Sequence, residues 1–339
     1  MNPPPDTVSS NVTATSAASS ATHTGKLAHF PIALFSSVMG LAGLALAWFK
    51  AHHLAGAPVE IGVAVRWLAT LTYVALAALF VAKAVRHPAT LAADWRHPVR
   101  LNFFPAISIG LVLLGTAWAE AGTGTVARGL WMAGAVLHLV FTVSAMSSWI
   151  HHTHYDVKHI NPAWFIPVVG NILVPIAGVR FAPAEVSWFF FSIGVVFWLV
   201  LMTIVMYRLF FHEPLVARLT PTLFILLAPP SVGFISYLAL TDELDAFARI
   251  LYYTALFLAL VLAANALRFF RLPFFISAWA YSFPLAAMTI ATFAMAARTG
   301  LVFFQGLALV LLAVLTVVVA VLVFRTVLAA VRGQICVPD

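Results

Sequence analysis

The sequence predicts an all-α polytopic membrane protein with ten transmembrane helices arranged as five helical hairpins. Hydrophobic residues make up 63% of the 339 positions and charged residues only 9%, which is too little charge to cover the surface of a soluble domain. Apolar runs of about 20 residues, the length that spans a bilayer, recur along the chain. Prolines fall inside alternate runs only, and this alternation pairs each interrupted helix with an uninterrupted one.

Short linkers that hold most of the charges separate the apolar runs. No linker is long enough for a soluble domain, so residues 26–330 are predicted to form one membrane domain. Residues 1–25 have the Ser-, Thr-, Ala- and Pro-rich composition of a disordered tail, and residues 331–339 form a short C-terminal tail. The predicted spans lie at 30–49, 62–83, 102–119, 127–150, 163–180, 184–209, 219–240, 245–269, 274–296 and 301–329.

The Lys and Arg residues predict how the spans are oriented. With ten spans both termini lie on one side, and that side collects twelve of the 18 basic residues against six on the other. Cytoplasmic loops of membrane proteins carry an excess of Lys and Arg. Both tails are therefore predicted to be cytoplasmic, and the net charge of +7 is attributed to this bias and not to nucleic-acid binding.

Prolines interrupt spans one, three, five, seven and nine, and the interiors of the other five spans hold none. A proline inside a helix removes a hydrogen bond and kinks the chain. In lipid such backbone is tolerated only where protein buries it or where it lines a wet cavity. The odd spans are therefore predicted to lie inside, although packing kinks would explain each proline singly. The predicted kinks are at Pro31, Pro105, Pro167, Pro175, Pro229 and Pro284.

Small and weakly polar residues concentrate in the same odd spans, and no Lys, Arg, Asp or Glu lies near the centre of any of them. Close helix packing explains each small residue singly. Together they predict a central space whose hydroxyls bind a passing anion weakly. Ion-coupled transporters commonly place ionisable groups inside the membrane, so the uncharged interior favours passive flow. The polar candidates for the pore lining are Ser37, Ser108, Asn171, Ser231 and Ser282.

Histidines offer a different kind of site. The segment HHTHYDVKH, residues 151–159, contains four histidines and Asp156 and is a candidate metal site, but we favour a solvated loop, so no metal or cofactor is predicted. His138 is the only histidine well inside a span, which leaves a bis-histidine haem without its second ligand. We interpret His138 as a hydrogen-bonded packing residue, with a proton relay as the alternative.

Two further classes of protein are disfavoured by the residues. The single cysteine, Cys336, excludes a disulfide or a cysteine-based metal site within one chain. No nucleophile–base arrangement, Gly-rich phosphate loop or metalloprotease motif indicates an enzyme.

Three stretches carry a family resemblance: HFPIALFSSVMGLAGLALAW in span one, NPAWFIPVVGNILVPIAG in span five and AWAYSFPLAAMTIATFA in span nine. Together they resemble the tellurite-resistance and C4-dicarboxylate transporter family, which contains bacterial tellurite-resistance membrane proteins, plant guard-cell slow-type anion channels and fungal malate transporters. The span-five stretch is the most specific of the three. The resemblance covers residues 27–330 and is to a bacterial member.

The resemblance implies five helical hairpins around a central pore formed by the odd helices, and a homotrimer in which each protomer has its own pore. In that family a phenylalanine beside the break in the ninth helix blocks the pore. The matching residue is Phe283, in the setting AYSFP. Other aromatic residues near helix breaks are candidates for narrowing the pore: Phe30, Phe104, Phe165 and Phe224.

Three functional hypotheses follow. The favoured one is an anion channel of the bacterial inner (plasma) membrane that passes small monovalent anions such as chloride and nitrate. The alternative is a secondary transporter of C4-dicarboxylates, sulfite or tellurite-related oxyanions, which would need a coupling site that the uncharged interior does not offer. The third is a membrane redox or metal-binding protein that uses the histidine loop.

Overall fold

The computed structural model describes residues 25–122, 124–151 and 155–336, and these residues form helices and connecting turns with no strand among them. Ten helices are long and apolar enough to cross a membrane, as the sequence predicts. Of the two predicted tails, residues 1–24 and 337–339 lie outside the described residues. Spans one to ten are Ile32–Ala55, Val59–Arg86, Arg100–Ala119, Gly124–His151, Pro162–Phe181, Ala184–Phe211, Thr220–Thr241, Ala246–Ala264, Ile276–Thr299 and Val302–Val331.

The span ends differ most from the prediction at two places. Span one continues past residue 49 to Ala55 and ends at Gly56, whose φ of 67° closes the helix in the left-handed conformation that glycine tolerates. Span eight ends at Ala264, where a turn separates it from a short helix, Ala266–Phe270. A further short helix that the sequence pattern did not predict, Pro88–Arg96, lies between spans two and three.

The odd spans lie inside the protein and the even spans surround them, which confirms the prediction from the prolines. Between 67% and 89% of the most apolar window of each odd span is buried, against 17% to 33% for the even spans. The even spans present large apolar side chains such as Leu71, Val143 and Phe257 on their outer faces, as a surface in contact with lipid requires.

Each odd span packs against the even span that follows it, which gives five helical hairpins. The odd spans also contact one another in a closed ring, because span one meets spans three and nine, span five meets spans three and seven, and span seven meets span nine. A closed ring of five helices leaves a space along its axis. The hairpins are therefore arranged around a central pore.

Every odd span contains a 3₁₀ segment that is followed by an α-helix, and the prolines lie close to this change. The 3₁₀ segments Arg100–Phe103 and Ile276–Tyr281, for example, precede the α-helices Pro105–Ala119 and Ser282–Thr299. A proline is tolerated in the first turn of an α-helix, where its missing N–H is least needed. Most of the predicted kinks are therefore junctions between two helix types and not bends inside one α-helix.

Spans three and four pack backbone to backbone at Gly134. A Cβ atom on this residue would lie 2.7 Å from the amide nitrogen of Val112 and 2.9 Å from the carbonyl oxygen of Ser108. These are backbone atoms of a buried helix, so they cannot move aside as the end of a flexible side chain would.

Gly134→Ala is therefore expected to destabilise the protein by about 1–3 kcal/mol through overpacking. Thermal unfolding of the purified protein in detergent measures the change as a lower midpoint. Gly129→Ala is the matched control, because Gly129 lies on the same helix, is exposed and has open space around its Cβ position. Equal midpoints for the two variants would contradict the close packing of spans three and four.

Candidate functional site

Two cavities lie in the ring, and every residue that lines them belongs to an odd span or to the position directly after one. The near cavity, of about 60 Å³, lies toward the face where the odd spans begin. The far vestibule, of about 630 Å³, lies toward the face where they end. We call these two sides of the membrane the near face and the far face. Lys26 and Gly333 lie close together on the near face.

Three residues line both cavities and so form the neck between them: Phe283, Leu173 and Val232. Phe283 is the largest of the three and is buried. Its ring lies against Gly43 of span one, where a Cβ atom would come within 3.4 Å of a ring carbon. The neck is therefore made of an aromatic ring and two aliphatic side chains, with no polar group.

The predicted site residues divide into two groups. Phe165, Pro229, Phe283 and Pro284 line the near cavity. The remaining predicted residues line neither cavity, and in several spans the immediate neighbour does so instead, as Ser36 does beside Ser37 and Phe103 does beside Phe104. The residues outside both linings are Phe30, Pro31, Ser37, Phe104, Pro105, Ser108, Pro167, Asn171, Pro175, Phe224, Ser231 and Ser282.

The five predicted polar residues share one role, which is to donate a hydrogen bond to a backbone carbonyl three or four residues earlier in their own span. The donor–acceptor distances lie between 2.6 and 2.8 Å. Because 3₁₀ bonds have poor geometry and proline removes an N–H, these carbonyls need the extra donor. The pairs are Ser37 to Leu34, Ser108 to Pro105, Asn171 to Val168, Ser231 to Leu227 and Ser282 to Trp279.

The lining of the near cavity is consequently apolar and differs from the hydroxyl-lined space that the sequence suggested. Ser36 and Ser277 are the only residues with side-chain hydroxyls among those lining it. The hydroxyls counted from the sequence are occupied by backbone carbonyls and are turned into the helix packing. Apart from these two serines, the residues that line the near cavity present hydrocarbon or glycine backbone to the axis.

Two of the predicted aromatic residues pack away from the axis. Phe104 contacts Trp95 edge to face at a centroid distance of 4.8 Å, between the short helix Pro88–Arg96 and span three. Phe224 contacts Phe269 and Tyr281 at 5.0 and 4.8 Å. These rings pack the near-face ends of their spans against neighbouring helices, so they support the cavity without lining it.

His138 is fully buried and shares a hydrogen bond of 2.9 Å between its Nδ1 and Ser108 Oγ. Its ring lies directly behind Gly170, a residue of the near-cavity wall, where a Cβ atom would come within 2.7 Å of the ring. Nε2 of the same ring is buried without a hydrogen-bond partner among the described residues, so the packing interpretation of His138 stays a prediction. Of the histidine loop, residues 152–154 lie outside the described part of the chain, and the described residues hold no group of three or more metal-ligating side chains.

The far vestibule holds the ionisable groups. His53 and Arg180 lie 3.5 and 3.6 Å from the carboxylate of Glu120, and Arg298 donates hydrogen bonds to Asp242. Lys50 also lines this vestibule. All of these residues lie at the far-face ends of odd spans, where water can solvate their charges.

A buried guanidinium lies behind the vestibule wall. Arg66 of span two is 5% exposed, and its guanidinium carbon lies 4.2 Å from the ring centroid of Trp118 and 5.7 Å from that of Phe49. Both rings offer their faces to the cation. Phe49 lines the vestibule, so Arg66 places a positive charge one aromatic ring away from the vestibule space.

An ion cluster fixes the near-face ends of spans one to three. Lys83 Nζ donates to Asp94 Oδ2 at 2.6 Å and to the carbonyl oxygen of Phe30 at 2.9 Å. Arg100 donates to the other oxygen of Asp94 at 2.6 Å. Phe30 precedes Pro31, so Lys83 supplies the donor for the carbonyl at the start of span one. Lys83 and Asp94 are 1% and 4% exposed.

Leu173 and Val232 are the neck residues that sequence reasoning missed. Leu173 lies two positions after the predicted Asn171 and ends a 3₁₀ segment, and Val232 lies one position after the predicted Ser231, within the α-helix Ala228–Thr241. That spacing is the signal that would have indicated them. It was not decisive, because both are ordinary aliphatic residues in apolar segments.

Comparison with known proteins matches the chain to one family of membrane proteins. The model of the family described as voltage-dependent anion channel, SLAC1, matches residues 29–327. The S-type anion channel SLAH3 of Arabidopsis thaliana is 26% identical over 314 residues, which cover 90% of this chain and 49% of that protein. The tellurite resistance protein TehA homolog of Haemophilus influenzae is 26% identical over 315 residues, which cover 90% and 92%.

An archaeal relative, the uncharacterized transporter MJ0762 of Methanocaldococcus jannaschii, is 24% identical over 290 residues, which cover 78% of this chain and 84% of that protein. The chain thus spans about half the length of the plant relative. It spans most of the length of the bacterial and archaeal relatives.

Asp94→Ala is expected to destabilise the protein by about 3–5 kcal/mol, because it leaves the buried Lys83 ammonium without its carboxylate. Unfolding in detergent followed by heat or denaturant measures this loss. Lys158→Ala is the control, since its pair with Asp156 is exposed on both sides and its removal is expected to leave the midpoint unchanged. If Asp94→Ala also leaves the midpoint unchanged, the cluster does not hold the near-face ends together.

Proposed function

Because the chain belongs to the voltage-dependent anion channel family, we propose that it is a membrane channel that passes small monovalent anions, such as chloride and nitrate, passively along the axis of the odd spans. Phe283 closes the path in the conformation described. The observation that carries this proposal is the neck: Phe283, Leu173 and Val232 are the residues common to both cavities.

The neck acts through water exclusion. A narrow constriction of hydrocarbon is unfavourable for water, and an ion cannot enter without its hydration shell, so such a site blocks conduction by dewetting. A change in the rotamer of Phe283, or a small shift of span nine at its junction, widens the path. The junction lies directly beside Phe283, because Ile276–Tyr281 is 3₁₀ and the α-helix begins at Ser282.

The preference for anions has two sources. All five odd spans run in the same direction, so the positive ends of their helix dipoles lie toward the near face and favour negative charge there. The loops predicted on that face also carry most of the Lys and Arg residues, which raises the local concentration of anions. Neither source binds an anion tightly, as rapid conduction requires.

A coupled transporter of C4-dicarboxylates, sulfite or tellurite-related oxyanions is the alternative. It is supported by the Haemophilus relative, which is named a tellurite resistance protein. Ion-coupled transporters commonly place an ionisable group along the path within the membrane. No ionisable side chain is among those lining the near cavity or the neck. Flux that saturates and depends on a proton gradient would favour the transporter over the channel.

We also propose a membrane, an orientation and an oligomeric state for this channel. We place it in a bacterial inner membrane with both termini in the cytoplasm, in line with the Lys and Arg bias. We also propose a homotrimer in which each protomer has its own path. The five odd spans of one chain form a closed ring around both cavities, so one protomer is sufficient to form a path.

Phe283→Ala is expected to raise the anion current at least about tenfold, because it removes the ring that fills the neck and allows water to enter. Current in a planar bilayer or an oocyte, recorded with chloride and then nitrate as the permeant ion, measures the change.

Phe293→Ala is the matched control for this experiment. Phe293 lies on the same helix and is 2% exposed, but it lines neither cavity. It therefore reports the effect of losing a buried ring without opening the neck. If a well-expressed Phe283→Ala variant carries no more current than Phe293→Ala, Phe283 is not the gate.

A further inference from the structure

Of the two cavities, only the far vestibule is lined by ionisable side chains. It has three permanent cations, two carboxylates and one histidine, all at the far-face ends of odd spans. They are Lys50, His53, Glu120, Arg180, Asp242 and Arg298. The near cavity and the neck have none. Electrostatic selection at the far end of the path therefore depends on this group, together with the buried Arg66 behind Phe49.

The charges in the vestibule are unevenly paired. Arg298 is held by hydrogen bonds to Asp242. Glu120 is shared by His53 and Arg180 at 3.5 and 3.6 Å, which is longer than a charge-assisted hydrogen bond of about 2.7–2.9 Å. Glu120 therefore attracts both groups without a close bond to either. Lys50 has no ion-pair partner among the residues that the structure describes.

The two basic side chains are more exposed than the carboxylate that lies between them. The side chains of His53 and Arg180 are each 56% exposed, whereas that of Glu120 is 16% exposed. Dissolved anions can reach the basic groups directly. Glu120 lies deeper in the wall and occupies the position that an incoming anion would take between the same two groups.

Helix dipoles disfavour anions in the vestibule, so basic groups are needed there to attract them. The odd helices end at the vestibule, so their negative ends face it and disfavour anions there. Basic residues in the last turns, His53 in span one, Arg180 in span five and Arg298 in span nine, oppose this effect. Whether the vestibule attracts or repels an anion thus depends on how many basic groups remain unneutralised.

We infer that the far vestibule recruits the permeant anion through Lys50 and Arg180, joined by His53 when it is protonated, and that Glu120 is a tethered competitor that limits this recruitment. The inference rests on the proposed anion channel and adds to it the site at which anions gather before the neck. Removal of the Glu120 charge frees two basic groups at once, whereas removal of the Lys50 charge deletes the one that is unpaired.

Electrostatic recruitment of anions depends on the salt concentration, because salt screens the charges. The screening length is about 10 Å at 0.1 M salt and about 3 Å at 1 M, so recruitment is strong in dilute salt and weak in concentrated salt. A single charge acting over about 8 Å in water changes the local anion concentration roughly twofold. Substitutions of opposite sign are expected to shift the current in opposite directions.

The first experiment records single channels in planar bilayers on the Phe283→Ala background, with the chloride concentration lowered on one face at a time. Adding Glu120→Gln is expected to raise the anion current drawn from one face roughly twofold in dilute salt, and adding Lys50→Gln to lower it by a similar factor. Both effects are expected to vanish at 1 M salt and to be confined to one polarity.

Matched controls carry the same charge changes on the far face outside the vestibule. Glu60→Gln and Arg128→Gln lie at the starts of spans two and four, are exposed and do not line the vestibule. If Glu120→Gln behaves as Glu60→Gln does, or if the effects persist at 1 M salt, the inference is overturned.

A second readout separates this inference from the proposed function. Chloride-35 NMR linewidth of the purified protein in dilute chloride reports anion binding whether or not the neck conducts. Glu120→Gln is expected to increase the excess linewidth and Lys50→Gln to decrease it. These changes without any current in the Phe283→Ala background would refute the channel and keep the anion site. Current without either change would refute the anion site and keep the channel.

Discussion

A backbone carbonyl in the hydrocarbon region of a bilayer must find its hydrogen-bond donor inside the protein, because lipid offers none. The odd spans meet this constraint repeatedly, since each combines 3₁₀ turns with prolines. Side chains of the same span supply donors to carbonyls near the junctions, as Ser37 does for Leu34 and Ser282 does for Trp279. Side chains of even spans supply others, as Thr142 does for Pro167 and Lys83 for Phe30.

This constraint explains the arrangement of the whole molecule. Interrupted helices are stable only where neighbours surround them, so the five odd spans form the inner ring and the regular even spans face lipid. The hydroxyls that pair with carbonyls are no longer available to the axis. The path is therefore apolar through the near cavity and the neck, and its charges lie at the far-face ends, where water solvates them.

The same reasoning accounts for the difference between the predicted and the observed site. Serine and asparagine in a membrane helix indicate either a polar path or a helix that satisfies its own backbone, and the two alternatives have the same sequence pattern. Distances decide between them: Ser108 Oγ lies 2.8 Å from the carbonyl oxygen of Pro105, and Ser231 Oγ lies 2.8 Å from that of Leu227. A neighbouring residue then faces the axis, as Val232 does next to Ser231.

Hydropathy, proline alternation and the Lys and Arg bias are local properties, so the sequence by itself determined the ten spans, their division into inner and outer classes and the absence of charge from the centre of the inner spans. It also indicated Phe283 through the family resemblance. Tertiary structure alone decided which face of each odd span turns to the axis, because one residue of helical rotation moves a side chain by about 100°. It likewise decided that Leu173 and Val232 meet Phe283, and that Glu120 lies between His53 and Arg180. These contacts join residues far apart in the chain, and only the packing of the five hairpins brings them together.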